Sequence, residues 1–154
     1  MKRSQDDALA AWSAPPVAPS PVGLYAPFVR FGDFVALSAI SSARDGALVT
    51  GKVGRDLDLS AARDAAHRAA ENLLAVLVEA AGGDPERIER LLIVRGYVNA
   101  AEGFPSVHKV VDAASETFIA FLGEERSRHA RTALGCATLP NNNEVTLEAL
   151  AQLR

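Results

Sequence analysis

The run Arg128-His129-Ala130-Arg131-Thr132-Ala133-Leu134-Gly135-Cys136 sets three cationic or potentially cationic side chains at the head of a small, mostly apolar segment, with no acidic residue inside it. Arginine at the start of a strand is most often a solvated surface residue. Here, however, the positions that alternate with Arg131 are Ala133 and Gly135, and their small size leaves room above a sheet. A guanidinium beside such a shelf can act as an anion clamp, because its planar fork binds a carboxylate through two parallel hydrogen bonds. Beyond the turn Pro140-Asn141-Asn142-Asn143, Thr146 and Glu148 share one alternation of the next segment. A simple hairpin would turn both toward the Arg131 shelf, giving a pocket with a cation, a hydroxyl and a carboxylate.

Other motifs carry less. Gly46 to Lys52 spells the letters of a phosphate-binding loop, but Val53 stands where serine or threonine is required and no helix pattern begins at the lysine. His67, His108 and His129 have no paired spacing with cysteines or carboxylates, so no metal or other cofactor is expected, and His67 reads as a helix-surface residue. No serine sits in a Gly-x-Ser-x-Gly elbow. Cys136, the lone cysteine, reads as a small buried thiol and cannot form an internal disulfide.

The elements that must position Arg131 follow from periodicity and punctuation. At 154 residues and 49% hydrophobic, the chain suits one globular domain with a real core. Residues 13–21 hold four of the eight prolines, so 1–21 is expected to be a mobile or surface-draped tail and 22–154 the domain. Two strand-like runs flank Gly32-Asp33, a hairpin signal, and "ALVTGKVG" after Asp45-Gly46 is expected as a third strand. The segment from Ser60 to Gly83 predicts a helix capped by Ser60, with Ala62, Ala66, Ala69, Leu73, Val76, Leu77 and Ala80 as its apolar stripe. Asp84-Pro85 predicts a short capped turn, "RLLIVRGYVN" a strand, and Ser106 to Leu122 a second helix stopped by Gly123. Two further strands complete the order βββαβαββ, an α+β class with both helices on one face of a mixed sheet. The other face then needs cover, and the strands' apolar residues on both alternations predict oligomerisation.

At this point the residues resemble the RidA/YjgF family, also called the L-PSP endoribonuclease family, over roughly residues 23–151. The resemblance rests on Tyr25 and Ser38, on "AENLLAVLVEAAGG", on "VVDAASETFIAFLG", and above all on "ARTALGCATLP" followed by "EVTLEALA". It implies a chorismate-mutase-like fold, assembled as a homotrimeric barrel with ligand sites in the clefts between subunits. It also implies that Arg131 holds a substrate carboxylate, that Tyr25 lines the cleft, and that Ser38 is the serine of the family's Ser-Gly-Gln turn. The chain departs from the pattern at four places. It reads Ser38-Ala39-Ile40 for that turn, Asp112 for a common asparagine, and Ala133 for a frequent cysteine. Thr146 replaces the glutamate associated with the hydrolytic water, leaving Glu148 as the remaining glutamate of the last strand.

Two functions follow as expectations. The first is hydrolytic deamination of small 2-imino or enamine acids, of the 2-iminobutanoate/2-iminopropanoate type, with Arg131 on the carboxylate and Glu148 or Asp112 standing in for the missing glutamate. The alternative is a non-catalytic trimer that binds a carboxylate-bearing metabolite. An RNA-cleaving role ranks below both: the net charge of -3 and the lack of aromatics among Arg126, Arg128, His129 and Arg131 disfavour a nucleic-acid surface. The same charge gives no general pull toward an anionic membrane, and the absence of a long apolar run or leader pattern places the protein in the cytoplasm.

Overall fold

The computed structural model describes residues 17–154. Of the expected tail, residues 1–16 lie outside the described residues, while 17–21 have no regular structure and Ala18 packs against the core. Strands β1 (Phe28–Phe31) and β2 (Phe34–Ser41) form the expected hairpin, with Phe31 opposite Phe34 and Gly32 at φ 57 in the turn. Helix α1 (Leu59–Ala80) is capped by Asp58, not Ser60: the Asp58 carboxylate accepts from the Ala61 N–H at 2.8 Å. The whole expected stripe is buried, and so are Ala65, Ala70 and Leu74, because α1 packs against both the sheet and the second helix beside it. Each buried leucine here is worth about 1.5–3 kcal/mol. Gly83 closes the helix by donating to the Val78 carbonyl at 2.9 Å, and Asp84 caps the single turn Pro85–Arg87.

Strand β3 (Ile88–Asn99) leads to helix α2 (Val107–Ser127), in which Gly123 (φ 80, ψ 166) interrupts the helix instead of ending it. Strands β4 (Ala130–Cys136) and β5 (Val145–Leu153) complete the chain. Both helices lie on one face of the sheet, and α2 comes so close to β3 that a Cβ on Gly96 would sit 2.5 Å from Val111 Cγ2. Among the described residues, no helix is long and apolar enough to cross a membrane.

Two further expectations fail. The segment 47–54 is no strand. Gly51 (φ 120) and Gly54 (φ 92) break the extended backbone, leaving single bridges such as Thr50 to Asn143 and Val53 to Ala100. The order among the described residues is therefore ββαβαββ. The second failure bears on the site. The sheet runs β1-β2-β5-β3-β4, so β3 lies between the two strands expected to form a hairpin. Helix α2 carries the chain back to pair β4 with β3 in parallel, and residues 137–144 then cross the end of β3, where Asn99 N–H donates to the Glu144 carbonyl at 2.9 Å. Strand β5 enters antiparallel on β3's other side.

Candidate functional site

Register decides which side chains meet. Arg131 pairs with Val94, Ala133 with Gly96 and Gly135 with Val98, so these three β4 residues face the helices. Thr146 pairs with Tyr97 and Glu148 with Arg95, on the opposite face. Arg131 and Glu148 of one chain therefore do not share a shelf, which corrects the hairpin expectation. Their separation comes from a long-range strand insertion that the Pro140–Asn143 turn does not reveal.

On the helix side, Arg131 Nη1 donates to Asp112 Oδ1 at 2.7 Å and to Ser115 Oγ at 3.2 Å. Both partners come from α2, one turn apart. The Arg131 side chain is 26% exposed, and the rest of its guanidinium has no hydrogen-bond partner among the described residues. Ser115 also meets His129 Nε2 at 3.2 Å, while His129 Nδ1 sits against the Ser127 carbonyl. Burial holds the His129 pKa below its ordinary value; the Arg131 charge acts the same way and the Ser127 carbonyl against it. A cavity of about 630 Å³ opens here, walled by Ser115, Ile119, Glu124, Arg128, His129 and Arg131. Ala133, half-buried against the core, continues the Arg131 face as expected.

The remaining expected site residues gather elsewhere. Tyr25, Ser38, Thr146 and Glu148 line a second cavity of about 610 Å³, together with Pro19, Pro21 and Asn141. The cavity forms where β2 and β5 lose register between Leu37 and Ile40, which lifts Ser38 out of the ladder. Ser38 Oγ donates to the Ala26 carbonyl at 2.6 Å, fixing the segment that carries Tyr25. Tyr25 is 48% exposed and Thr146 only 9%. Glu148 is not free: Tyr97 Oη donates to Oε1 at 2.7 Å and Arg95 Nη1 at 3.2 Å.

Several residues escaped the sequence reading. Ser115 and His129 meet only because α2 packs on β4. Glu144 is fully buried, with its Oε1 accepting from the Ser42 hydroxyl and Oε2 without a hydrogen-bond partner among the described residues. Lys52 is pinned, donating to Asn99 Oδ1 at 2.8 Å and to the Ala137 carbonyl, which occupies the ammonium of the apparent phosphate loop. His67 bridges the helices through Thr117 Oγ1 at 2.8 Å. Cys136 is half-buried, not fully buried as expected. Among the described residues, no three His, Cys, Asp or Glu side chains are grouped to hold a metal ion.

A five-stranded mixed sheet with two helices on one face defines an α+β fold, and it carries the two cavities described above. No family model matches the chain. Protein TCP17 of Trypanosoma cruzi is 32% identical over 139 residues, spanning 90% of this chain and 86% of its own length. The 2-iminobutanoate/2-iminopropanoate deaminase of Dermatophagoides farinae is 30% identical over 137 residues, 88% of this chain and 90% of that protein. Among solved structures, a protein of unknown function from Agrobacterium tumefaciens superposes with a TM-score of 0.87 at 33% identity, covering 97% of this chain and 93% of the other. The yjgF gene product of Escherichia coli, at 23% identity, shares the fold with a TM-score of 0.61 over 91% of this chain and 94% of its own. The chain belongs to the RidA/YjgF family.

Proposed function

We propose that the protein hydrolyses small 2-imino acids to 2-oxo acids and ammonia, with Arg131 holding the substrate carboxylate. The observation that carries this reading is the Arg131 guanidinium itself. It is anchored through Nη1 by Asp112 and Ser115, lines a cavity, and keeps its remaining donors without partners among the described residues. An anchored fork with a free edge is preorganised for a bidentate carboxylate. The similarity to the mite deaminase supports the same chemistry. The active assembly is a homotrimer, in which a second copy brings its Tyr25 and Ser38 cavity to the Arg131 of the first.

The test is ammonia release from freshly generated 2-iminopropanoate by wild type and Arg131→Ala, alongside pyruvate binding by calorimetry and a thermal melt of each apo protein. Loss of the desolvated clamp should cost about 2–5 kcal/mol of pyruvate affinity. Loss of the partly exposed Asp112 pair should cost less than about 1 kcal/mol of stability. Equal affinity in the two proteins would remove the clamp. A second reading, carboxylate binding without turnover, is favoured by one specific feature: Thr146 carries no charge and Glu148 is already occupied by Tyr97 and Arg95. Pyruvate binding lost in Arg131→Ala with no ammonia released by wild type would select it.

A further inference from the structure

The hydrogen bonds around Ser115 admit one direction. Arginine only donates, so Ser115 Oγ accepts from Arg131 Nη1 at 3.2 Å. The Ser127 carbonyl only accepts, so His129 Nδ1 carries the ring hydrogen and Nε2 presents a bare lone pair. The Ser115 proton then points to Nε2, 3.2 Å away. Phe118 packs edge-on to the imidazole, with ring centroids 5.9 Å apart, and fixes its plane. A nucleophile-sized hydroxyl, a base and an orienting acceptor thus form a chain that ends on the cation of the cavity.

We propose that Ser115 and His129 form the acid–base relay for hydrolysis at the Arg131 site, supplying what Thr146 cannot. The proposal rests on the imino-acid reading above. With the carboxylate of a protonated imine on Arg131, the water oxygen bonds to the imine carbon. One water proton passes to Ser115 Oγ as the serine proton passes to His129 Nε2, leaving a neutral carbinolamine. His129 returns that proton through Ser115 to the nitrogen, and the C–N bond breaks with its electron pair leaving on ammonia. The carbinol oxygen closes to the carbonyl and releases its proton. Protonated imine and water become 2-oxo acid and ammonium, and no other reactant enters.

Several charges surround the imidazole. Arg131 from β4 opposes its protonation, and Arg128 from the α2–β4 connection lines the same cavity. Glu124 and Glu125 at the end of α2 also line the cavity, and Asp112 is paired with Arg131. Together with burial the Arg131 charge leaves His129 neutral, and so able to accept a proton, at neutral pH.

The test measures kcat and KM for 2-iminopropanoate over about pH 5 to 9 in wild type, Ser115→Ala, Ser115→Thr and His129→Gln, with pyruvate affinity and a melt of each. Ser115→Ala and His129→Gln should each lower kcat by about 10²-fold. KM and pyruvate affinity should stay within about twofold of wild type in His129→Gln, and Ser115→Ala, which also removes one anchor of Arg131, should lose far more in kcat than in pyruvate affinity. Ser115→Thr, which keeps the hydroxyl, should retain most activity. Wild-type kcat should fall on the acid side as His129 protonates, and His129→Gln should lose that limb. Turnover and pH profile unchanged in Ser115→Ala overturn the relay alone; absence of turnover from wild type overturns the relay and the imino-acid reading together. If His129→Gln melts early, Ser115→Ala decides, since it removes one oxygen from a half-buried position.

Discussion

The Tyr97 hydroxyl donates to Glu148 Oε1 at 2.7 Å, and the same oxygen accepts from Arg95 Nη1 at 3.2 Å. The three residues come from neighbouring strands, with Arg95 directly opposite Glu148. The last strand's remaining glutamate is thereby a fastener of the sheet face, and its carboxylate holds the Tyr97 proton in place.

Tyr97→Phe should therefore cost about 1 kcal/mol of stability at neutral pH, since it removes a hydrogen bond to a charged group that is still 31% exposed. The hydrogen bond to Glu148, with burial behind it, raises the Tyr97 pKa above its ordinary 10.0. A raised folded-state value means this contribution is fully present below the unfolded pKa and is lost as pH rises through the folded one. Melts of the two proteins should converge only in strong alkali; convergence near neutrality would contradict the assignment.

Glu144 titrates in the opposite context. Burial raises its pKa, and the Ser42 hydroxyl only partly offsets this. Ionisation of this carboxyl is therefore harder in the fold than in the unfolded chain. Its stabilising contribution is present below the ordinary carboxylate range and fades as pH rises through the folded-state value. Glu144→Gln keeps the shape without the titration, so it should gain stability relative to wild type as pH rises above 4.5. Melting curves that run parallel across that range would show the carboxyl to be ionised in the fold.

Gly96 tests the seat of α2. An alanine there would place its Cβ 2.5 Å from Val111 Cγ2, against a helix that also carries Asp112 and Ser115. Gly96→Ala should destabilise by about 1–3 kcal/mol through overpacking. Adding Val111→Ala should restore part of the loss. No recovery in the double variant would mean that the strain lies elsewhere.

Much of this frame was legible in local patterns. The α1 stripe from Ala62 to Ala80, the Gly82-Gly83 stop and the Asp84-Pro85 cap depend on residues within a turn or two of one another, and each is found in place. Ser60 lost the cap to Asp58 because the carboxylate two residues earlier reaches the Ala61 N–H. The third strand failed because Gly51 and Gly54 adopt positive φ, which alternating Val49 and Val53 do not report. The site was harder to read. Arg131, Tyr25 and Ser38 were legible as types, but the face each occupies depends on β3 entering between β4 and β5, a pairing remote in sequence. The Ser115–His129 contact is of the same kind: nothing in their spacing of fourteen residues marks it until α2 lies on the sheet.

The final prediction concerns assembly. Arg131 lines a cavity on the helix side, while Tyr25, Ser38, Thr146 and Glu148 line another across the sheet, so a site that uses both requires two chains. The chain also exposes apolar area at its edges: Phe31 is 83% exposed, Val29 62% and Leu134 50%, on the β1 and β4 ends of the sheet. Covering each would contribute about 1.5–3 kcal/mol, and edge strands of this kind favour a paired or packed neighbour. A contact that joins one edge of a chain to a different edge of the next is head-to-tail, and a three-fold rotation between copies would close it as a ring. Light scattering should give three times the 16.2 kDa chain mass. Arg131→Ala and Tyr25→Ala, each failing to bind pyruvate alone, should recover part of the binding when co-expressed, because one interface in a mixed trimer then unites an intact Arg131 with an intact Tyr25. A monomer mass at micromolar concentration would refute the assembly, and a trimer without recovery would show that each chain carries its site whole.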